Sequence, residues 1–64
     1  MSQIKFGVGD KVRHRSDDQA PEMIVIRFKD GYYYCNYWDS HENRFRIEQT
    51  FVEVELALIR KYEP

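Results

Sequence analysis

Several features common in small proteins are scarce in this chain. One of its 64 residues is cysteine, so neither an internal disulfide nor a cysteine-rich zinc site is expected. No stretch approaches the roughly 20 apolar residues that a membrane-spanning helix needs. The first twelve residues, "MSQIKFGVGDKV", also lack the apolar run of a signal peptide. These absences predict a cytoplasmic protein that has no membrane partner.

An excess of charge of either sign is also missing. Ten lysines and arginines face eleven aspartates and glutamates, and the net charge at pH 7 is −1. Proteins that bind nucleic acid over their whole surface are usually basic, so a nucleic-acid site here would have to be a local patch. The hydrophobic fraction of 42% and the low glycine content, three residues, are typical of a folded domain rather than a disordered chain. We predict one small domain over residues 1–64.

Turn-forming residues divide the chain into short runs with strand character. Asp30-Gly31 is the strongest hairpin signal, because both residue types tolerate the positive φ angles of a tight turn. Strands are predicted over residues 11–15, 22–28, 31–38 and 44–49. The tail fits either a short helical turn followed by a strand around Leu58–Lys61 or one helix of about ten residues. We favour the strand, since it would cover an exposed sheet edge.

These runs predict an all-β fold: a small five-stranded, strongly bent antiparallel barrel of SH3-like type, with a short helical turn before the last strand. In the first strand, Val12 and His14 are expected on the face opposite the charged residues. In the fourth strand, Phe45 and Ile47 are expected to face inward for the same reason.

The second strand carries apolar residues on both faces. Met23 and Val25 are expected on one face, and Ile24, Ile26 and Phe28 on the other. This pattern is typical of a strand that curves across the middle of a small barrel.

A set of short motifs runs along most of the chain. The motifs are F-x-V-G-D-x-V from Phe6 to Val12, P-x-M-x-V from Pro21 to Val25, Gly31 with Cys35 and Tyr37, Asp39, and F-x-x-x-E-L from Phe51 to Leu56. Together they resemble the YodC-like family of small bacterial proteins over roughly residues 6–56. The chain departs from that pattern in a longer "SDDQA" loop, in tyrosine at position 37 where tryptophan is expected, and in its tail. The family has no established activity, so the resemblance implies a small bacterial β-barrel and no particular chemistry.

The resemblance also sets an expectation for the register of the third strand. If Cys35 and Tyr37 face inward, Tyr33 joins them, because side chains alternate along a strand. The outward side chains are then Tyr32, Tyr34, Asn36 and Trp38. A slip of one residue would exchange the two sets.

Candidates for catalysis and metal binding are weak. Cys35 lies among aromatic residues, away in sequence from any cation or helix N-terminus that would lower its pKa, so we predict a buried, structural thiol. The loop "DSHEN" contains Asp39, His41 and Glu42, but nothing holds them on one face as a zinc site requires. His14 is expected to be hydrogen-bonded at the edge of the barrel. No catalytic residue, metal or cofactor is predicted, and we expect no enzymatic activity.

The outward aromatic side chains of the third strand form the candidate binding site. Its residues are Tyr32, Tyr34 and Trp38, rimmed by Arg13, Arg15, Arg44 and Arg46. Tyr, Trp and Arg dominate interface hot spots, and arginine selects acidic groups. We therefore predict a non-enzymatic module that binds a protein or peptide. The alternatives are single-stranded nucleic-acid binding through the same face, a homodimer, and ordinary packing in which the 16–21 loop or the tail covers the aromatics.

Overall fold

The computed structural model describes residues 5–64, which form one antiparallel sheet and one 3-10 turn. The elements are β1 (Lys11–His14), β2 (Met23–Lys29), β3 (Tyr32–Asp39), β4 (Arg44–Phe51), the 3-10 turn (Glu53–Glu55) and β5 (Leu56–Arg60). Across the sheet the strands run in the order β4-β3-β2-β1-β5, so β4 and β5 are its edges. The predicted all-β, barrel-like fold is confirmed, and so is the short helical turn before the last strand. No helix within residues 5–64 is long and apolar enough to cross a membrane.

The β2–β3 hairpin turns at the Asp30-Gly31 pair, as predicted. Asp30 has a φ of 54° and Gly31 a φ of 84°, the left-handed backbone that a two-residue hairpin turn requires. Lys29 and Tyr32 then face each other across the hairpin. The turn therefore fixes the register of the two strands at this end.

A β-bulge between Val25 and Arg27 changes the facing of β2. Met23 and Val25 are buried, as expected for the inner side. Beyond the bulge, Phe28 lies opposite Tyr33 and its ring centroid is 4.6 Å from that of Tyr33. The prediction that Phe28 points to the other face was wrong, because an extra residue in one strand reverses the alternation beyond it.

A single small core lies under the inner face of the sheet. Its buried members are Phe6, Val12, Met23, Val25, Tyr33, Cys35 and Leu56. The Tyr33 hydroxyl accepts hydrogen bonds from the backbone N–H groups of Lys5 (2.9 Å) and Phe6 (3.3 Å), so the polar end of this buried ring is satisfied. The burial of Tyr33 and Cys35 confirms the predicted register of β3.

The facing of the first half of β4 differs from the prediction. Phe45 and Ile47, expected to face inward, are exposed. A second register shift lies where Asn36 of β3 faces β4, and Glu48 there adopts a left-handed backbone with a φ of 52°. Phe51, beyond this bulge, packs against the core. Because the bulge reverses the alternation, an inward Phe51 places Phe45 and Ile47 outward.

A buried carboxylate joins the N-terminal turn to the C-terminal tail. Asp10 is 3% exposed. Its Oδ1 accepts a hydrogen bond from the N–H of Tyr62 (2.8 Å), and its Oδ2 accepts from the N–H of Gly7 (2.8 Å) and from Lys61 Nζ (3.2 Å). These donors lower the pKa of Asp10. Tyr62 also lies over Gly9, which has a φ of 94° and whose added Cβ would be 2.7 Å from Tyr62 Cγ.

Candidate functional site

Three large apolar side chains meet on the outer face of β3 and β4, which is the face turned away from the core. Trp38 is 51% exposed and pairs directly across the strands with Phe45, which is 56% exposed. Ile47, two residues along β4, is 58% exposed. We call Trp38, Phe45 and Ile47 the apolar patch. The sequence analysis identified Trp38 but not Phe45 or Ile47. Alternation of apolar and charged residues along β4 shows that they lie on opposite faces, but it does not show which face is the inner one.

The other two predicted aromatics lie on the same face but outside the patch. Tyr32 is exposed at the hairpin end of β3, whereas Tyr34 is half-buried. The guanidinium of Arg27 lies 4.4 Å from the centroid of the Tyr34 ring, a cation–π contact. Arg27 in turn donates to Glu48 (2.6 Å), and the N–H of Glu48 donates to Asn36 Oδ1 (2.8 Å). This polar network separates Tyr32 from the apolar patch.

The two predicted arginines of β4 both point to the face opposite the apolar patch, because they flank the outward-facing Phe45 in one regular stretch of strand. The prediction that they rim the outward aromatic side chains was wrong. Arg44 is exposed and lies opposite Asp39 across the two strands. Arg46 faces Tyr37 across the strands and so points to the side opposite the apolar patch. Its Nε donates to Asp39 Oδ2 (2.9 Å). Arg46 is therefore part of the support of the β3–β4 turn rather than of the outer face.

The other two predicted arginines lie on the far side of β2 from β3. Arg13, in β1, donates to the carbonyl oxygens of His14 and Asp17 at 3.2 Å each and lies 3.6 Å from the Asp18 carboxylate. Arg15, in the turn after β1, donates its N–H to the carbonyl oxygen of Glu55 (2.7 Å). The structure thus places none of the four predicted arginines at the apolar patch.

The "DSHEN" segment is an ordered turn organised by its first residue. Asp39 Oδ1 accepts hydrogen bonds from the N–H groups of His41 (3.0 Å) and Glu42 (3.1 Å). The Glu42 N–H, the Arg46 guanidinium and the His41 N–H lower the pKa of Asp39. Among residues 5–64, no group of three or more His, Cys, Asp or Glu side chains is arranged to hold a metal ion.

A cleft of about 380 Å³ opens between the 16–21 loop and the β3–β4 turn. Met23, Tyr37 and Phe51 form its apolar lining, and His14 and Asp39 also line it. The His14 and Phe51 rings meet edge to face, with centroids 6.4 Å apart. Because Tyr37 and Trp38 are successive residues of one strand, this cleft and the apolar patch lie on opposite sides of β3.

His14 is held in a fixed orientation beside this cleft. Its Nδ1 lies 2.9 Å from Ser16 Oγ and accepts a hydrogen bond from the Ser16 N–H (3.4 Å). Its Nε2 lies 3.8 Å from a carboxylate oxygen of Glu55. Ser16 lies in the turn that follows His14, the last residue of β1, so this contact orients the imidazole and agrees with the hydrogen-bonded role predicted for His14.

Cys35 is buried in the core, in the middle of β3, where it pairs with Val25 of β2 and Gln49 of β4. Its exposure is zero, and burial raises the pKa of its thiol to about 11. A thiol with so high a pKa stays protonated at neutral pH, and the thiolate is the nucleophilic form. The prediction of a buried, structural cysteine is confirmed.

No family model, curated protein or solved structure matches the chain. The resemblance to the YodC-like proteins accordingly stays a prediction. The apolar patch and the cleft are therefore the two features on which a function can be argued.

Proposed function

We propose that the chain is a non-enzymatic binding module that holds a protein or peptide partner against the apolar patch. The observation that carries the proposal is the Trp38–Phe45 cross-strand pair, continued by Ile47, with each side chain more than half exposed. Contiguous exposed apolar surface is uncommon on small soluble domains unless a partner covers it. Tryptophan and other aromatic residues are also enriched where binding energy is concentrated.

The position of the patch on an edge strand supports a peptide as the partner. Within residues 5–64, β4 pairs with β3 alone, so one side of its backbone is free. An extended peptide can add to such an edge through main-chain hydrogen bonds, while side chains on the adjoining face provide specificity. The stretch Arg44–Ile47 offers this edge before the bulge at Glu48 interrupts it.

The state of the arginines favours a protein over a nucleic acid. Arg27 is paired with Glu48, and Arg46 is paired with Asp39. Phosphate binding depends on cations that are available to replace the counterions of the nucleic acid. Arg44 is exposed but points to the face opposite the patch, so it does not supply a cation for phosphates beside Trp38 and Phe45.

A reducing, cytoplasmic setting in a bacterial cell belongs to the same proposal. Cys35 is a free thiol enclosed in the core, as is common in proteins of reducing compartments. The bacterial source is supported by the resemblance to the YodC-like proteins.

Selection from a library of displayed peptides tests the proposal. Selected peptides are measured against the wild type, Phe45→Ser, and the control Val54→Ser, which removes an apolar side chain that is 70% exposed on the 3-10 turn, outside the patch. We expect the peptides to bind the wild type and Val54→Ser equally, and Phe45→Ser about ten-fold more weakly or worse, as for a hot-spot residue.

Three results would count against a peptide site. Peptides that bind Phe45→Ser as tightly as the wild type would place the interface elsewhere. Single-stranded DNA binding that falls steeply with salt and disappears in Trp38→Ser would favour nucleic acid. A molecular mass that doubles with concentration in the wild type but not in Phe45→Ser would identify a second copy of the chain as the partner.

A further inference from the structure

The cleft between the 16–21 loop and the β3–β4 turn has the size and composition of a small-ligand site. Its volume of about 380 Å³ lies within the range of such sites, which combine an apolar lining with a few polar groups. Met23, Tyr37 and Phe51 provide the apolar part, and the polar groups include Asp39. No lysine or arginine among the described residues lines it.

Several of the lining groups are aromatic rings. Tyr37 and Phe51 are half-buried, and the imidazoles of His14 and His41 complete the set. The Ser16 N–H lies 3.4 Å from His14 Nδ1 and helps to hold the imidazole in place beside the cleft. The faces of the Tyr37 and Phe51 rings carry partial negative charge and attract a cation that lies within about 6 Å of the ring centre.

The charges around the cleft have the complementary sign. Asp39 lines it, and both Asp39 and Glu42 pair with one guanidinium, that of Arg46. A carboxylate oxygen of Glu55 lies 3.8 Å from His14 Nε2. Two carboxylates therefore share one guanidinium beside the cleft, which favours a positively charged ligand and disfavours an anion.

From these observations we infer that the cleft is a second binding site, separate from the apolar patch, and that it takes an alkylated organic cation such as a trimethylammonium group. The rings and Asp39 attract the charge, while Met23 contacts the alkyl groups. An unmodified ammonium ion is strongly hydrated, so it loses more on entering an apolar cleft than its methylated form does. The ligand is a free small molecule or a methylated side chain of another protein.

A pair of shape-matched probes tests the charge requirement on the unmodified protein. Amide and aromatic NMR shifts are followed while choline or its neutral analogue 3,3-dimethylbutan-1-ol is added. We expect choline to shift the signals of Tyr37, Phe51 and His41 and the neutral alcohol to bind about ten-fold more weakly, as the cation–π contribution implies. Equal binding of the two probes would overturn the inference, and so would the absence of shifts at those residues with choline and with a trimethyl-lysine peptide.

Two variants and one peptide comparison complete the test. Phe51→Leu keeps an apolar side chain but removes a ring from the cleft, so choline binding should fall several-fold, whereas Tyr32→Leu removes a ring from the other face and should change nothing. Unchanged choline binding in Phe51→Leu would contradict the inference.

A trimethyl-lysine peptide that binds much more tightly than choline would identify a protein as the source, and similar affinities would identify a small molecule. Choline binding that persists in Phe45→Ser would show that this site stands whether or not the apolar patch binds a peptide.

Discussion

Replacing Asp10 with asparagine should remove a large part of the stability of this domain. The carboxylate receives three donors, the N–H groups of Gly7 and Tyr62 and the ammonium of Lys61. Asparagine keeps one oxygen, but it turns an NH₂ group toward donors that need an acceptor. At least one N–H of a partly buried hydrogen bond is then left without its acceptor, and the charge that strengthens the remaining hydrogen bonds is lost.

The Asp10→Asn replacement is expected to remove a substantial share of the free energy of unfolding. Hydrogen bonds to charged groups contribute about 1.5–3 kcal/mol each, and an unsatisfied buried donor costs a similar amount. Losing one or two of the three contacts therefore costs about 2–4 kcal/mol. A domain of this length has a free energy of unfolding of about 3–10 kcal/mol. Since urea m-values for small proteins start near 1 kcal/mol per molar, the unfolding midpoint should fall by about 1 M or more.

The measurement is urea unfolding followed by circular dichroism, with Asp18→Asn as the matched control. Asp18 also pairs with a cation, Arg13 at 3.6 Å, but its side chain is 89% exposed, so its replacement should change the free energy of unfolding by less than about 0.5 kcal/mol. An Asp10→Asn variant as stable as the Asp18→Asn variant would refute the reasoning.

The same aspartate predicts a pH dependence. The pKa of Asp10 is lower in the folded protein than in the unfolded chain, so its contribution is present above the unfolded value, near 3.9, and is lost as the pH falls through the folded value. The gap in stability between wild type and Asp10→Asn should therefore be widest near neutral pH and should narrow below about pH 4. Asp39, whose pKa is also lowered, is present in both proteins and cancels in this difference. A gap that stays constant down to pH 2 would contradict the role of the charge.

Other positions give further expectations. Gly31→Ala should cost about 1 kcal/mol by chemical unfolding, since only its backbone conformation opposes a side chain. Gly9→Ala should cost more, because its new Cβ also meets Tyr62, and Tyr62→Ala should recover part of that loss in the double variant; additive costs would argue against the clash. Tyr33→Phe should lose about 1–2 kcal/mol, as its hydroxyl accepts two backbone N–H groups, and a variant of wild-type stability would show those bonds to be unimportant. Cys35 should react with a thiol reagent only as fast as the protein opens, so rapid labelling of the native protein at pH 8 would be unexpected.

The strands and turns of this fold can be predicted from local sequence patterns. The face of the sheet to which each side chain points can be predicted only in part. Asp30-Gly31 places the hairpin, and the alternation around Cys35 gives the correct inner face of β3. The predicted faces of Phe28 and Phe45 were wrong because of the two bulges. One bulge precedes Phe28 in β2 and the other follows Phe45 in β4. Each bulge inserts one extra residue into a strand and so reverses the alternation on which the prediction depends. Neither bulge contains a glycine that would have indicated its position in the sequence.

The candidate sites were less predictable than the strands, because they depend on contacts between distant segments. Trp38 was identified from its position in β3, but its neighbour Phe45 depended on the bulge at Glu48. The cleft needs His14 and Phe51 to meet, and no local pattern relates two residues so far apart in sequence. Asp10 likewise appeared only as part of a motif, since its partners lie in the tail.

The contacts of Asp10 also bear on how the protein is made. Lys61 and Tyr62 lie 51 and 52 positions beyond the aspartate that binds them, and β1 needs the late β5 as its neighbour in the sheet. A ribosome therefore releases Asp10 and Val12 long before their partners exist, and during that interval β1 has an unpaired edge and an uncovered apolar face. Contacts between distant segments also form slowly. The nascent chain thus completes its fold only after residue 62 has left the ribosome, and until then the unpaired edge of β1 is open to pairing with other chains.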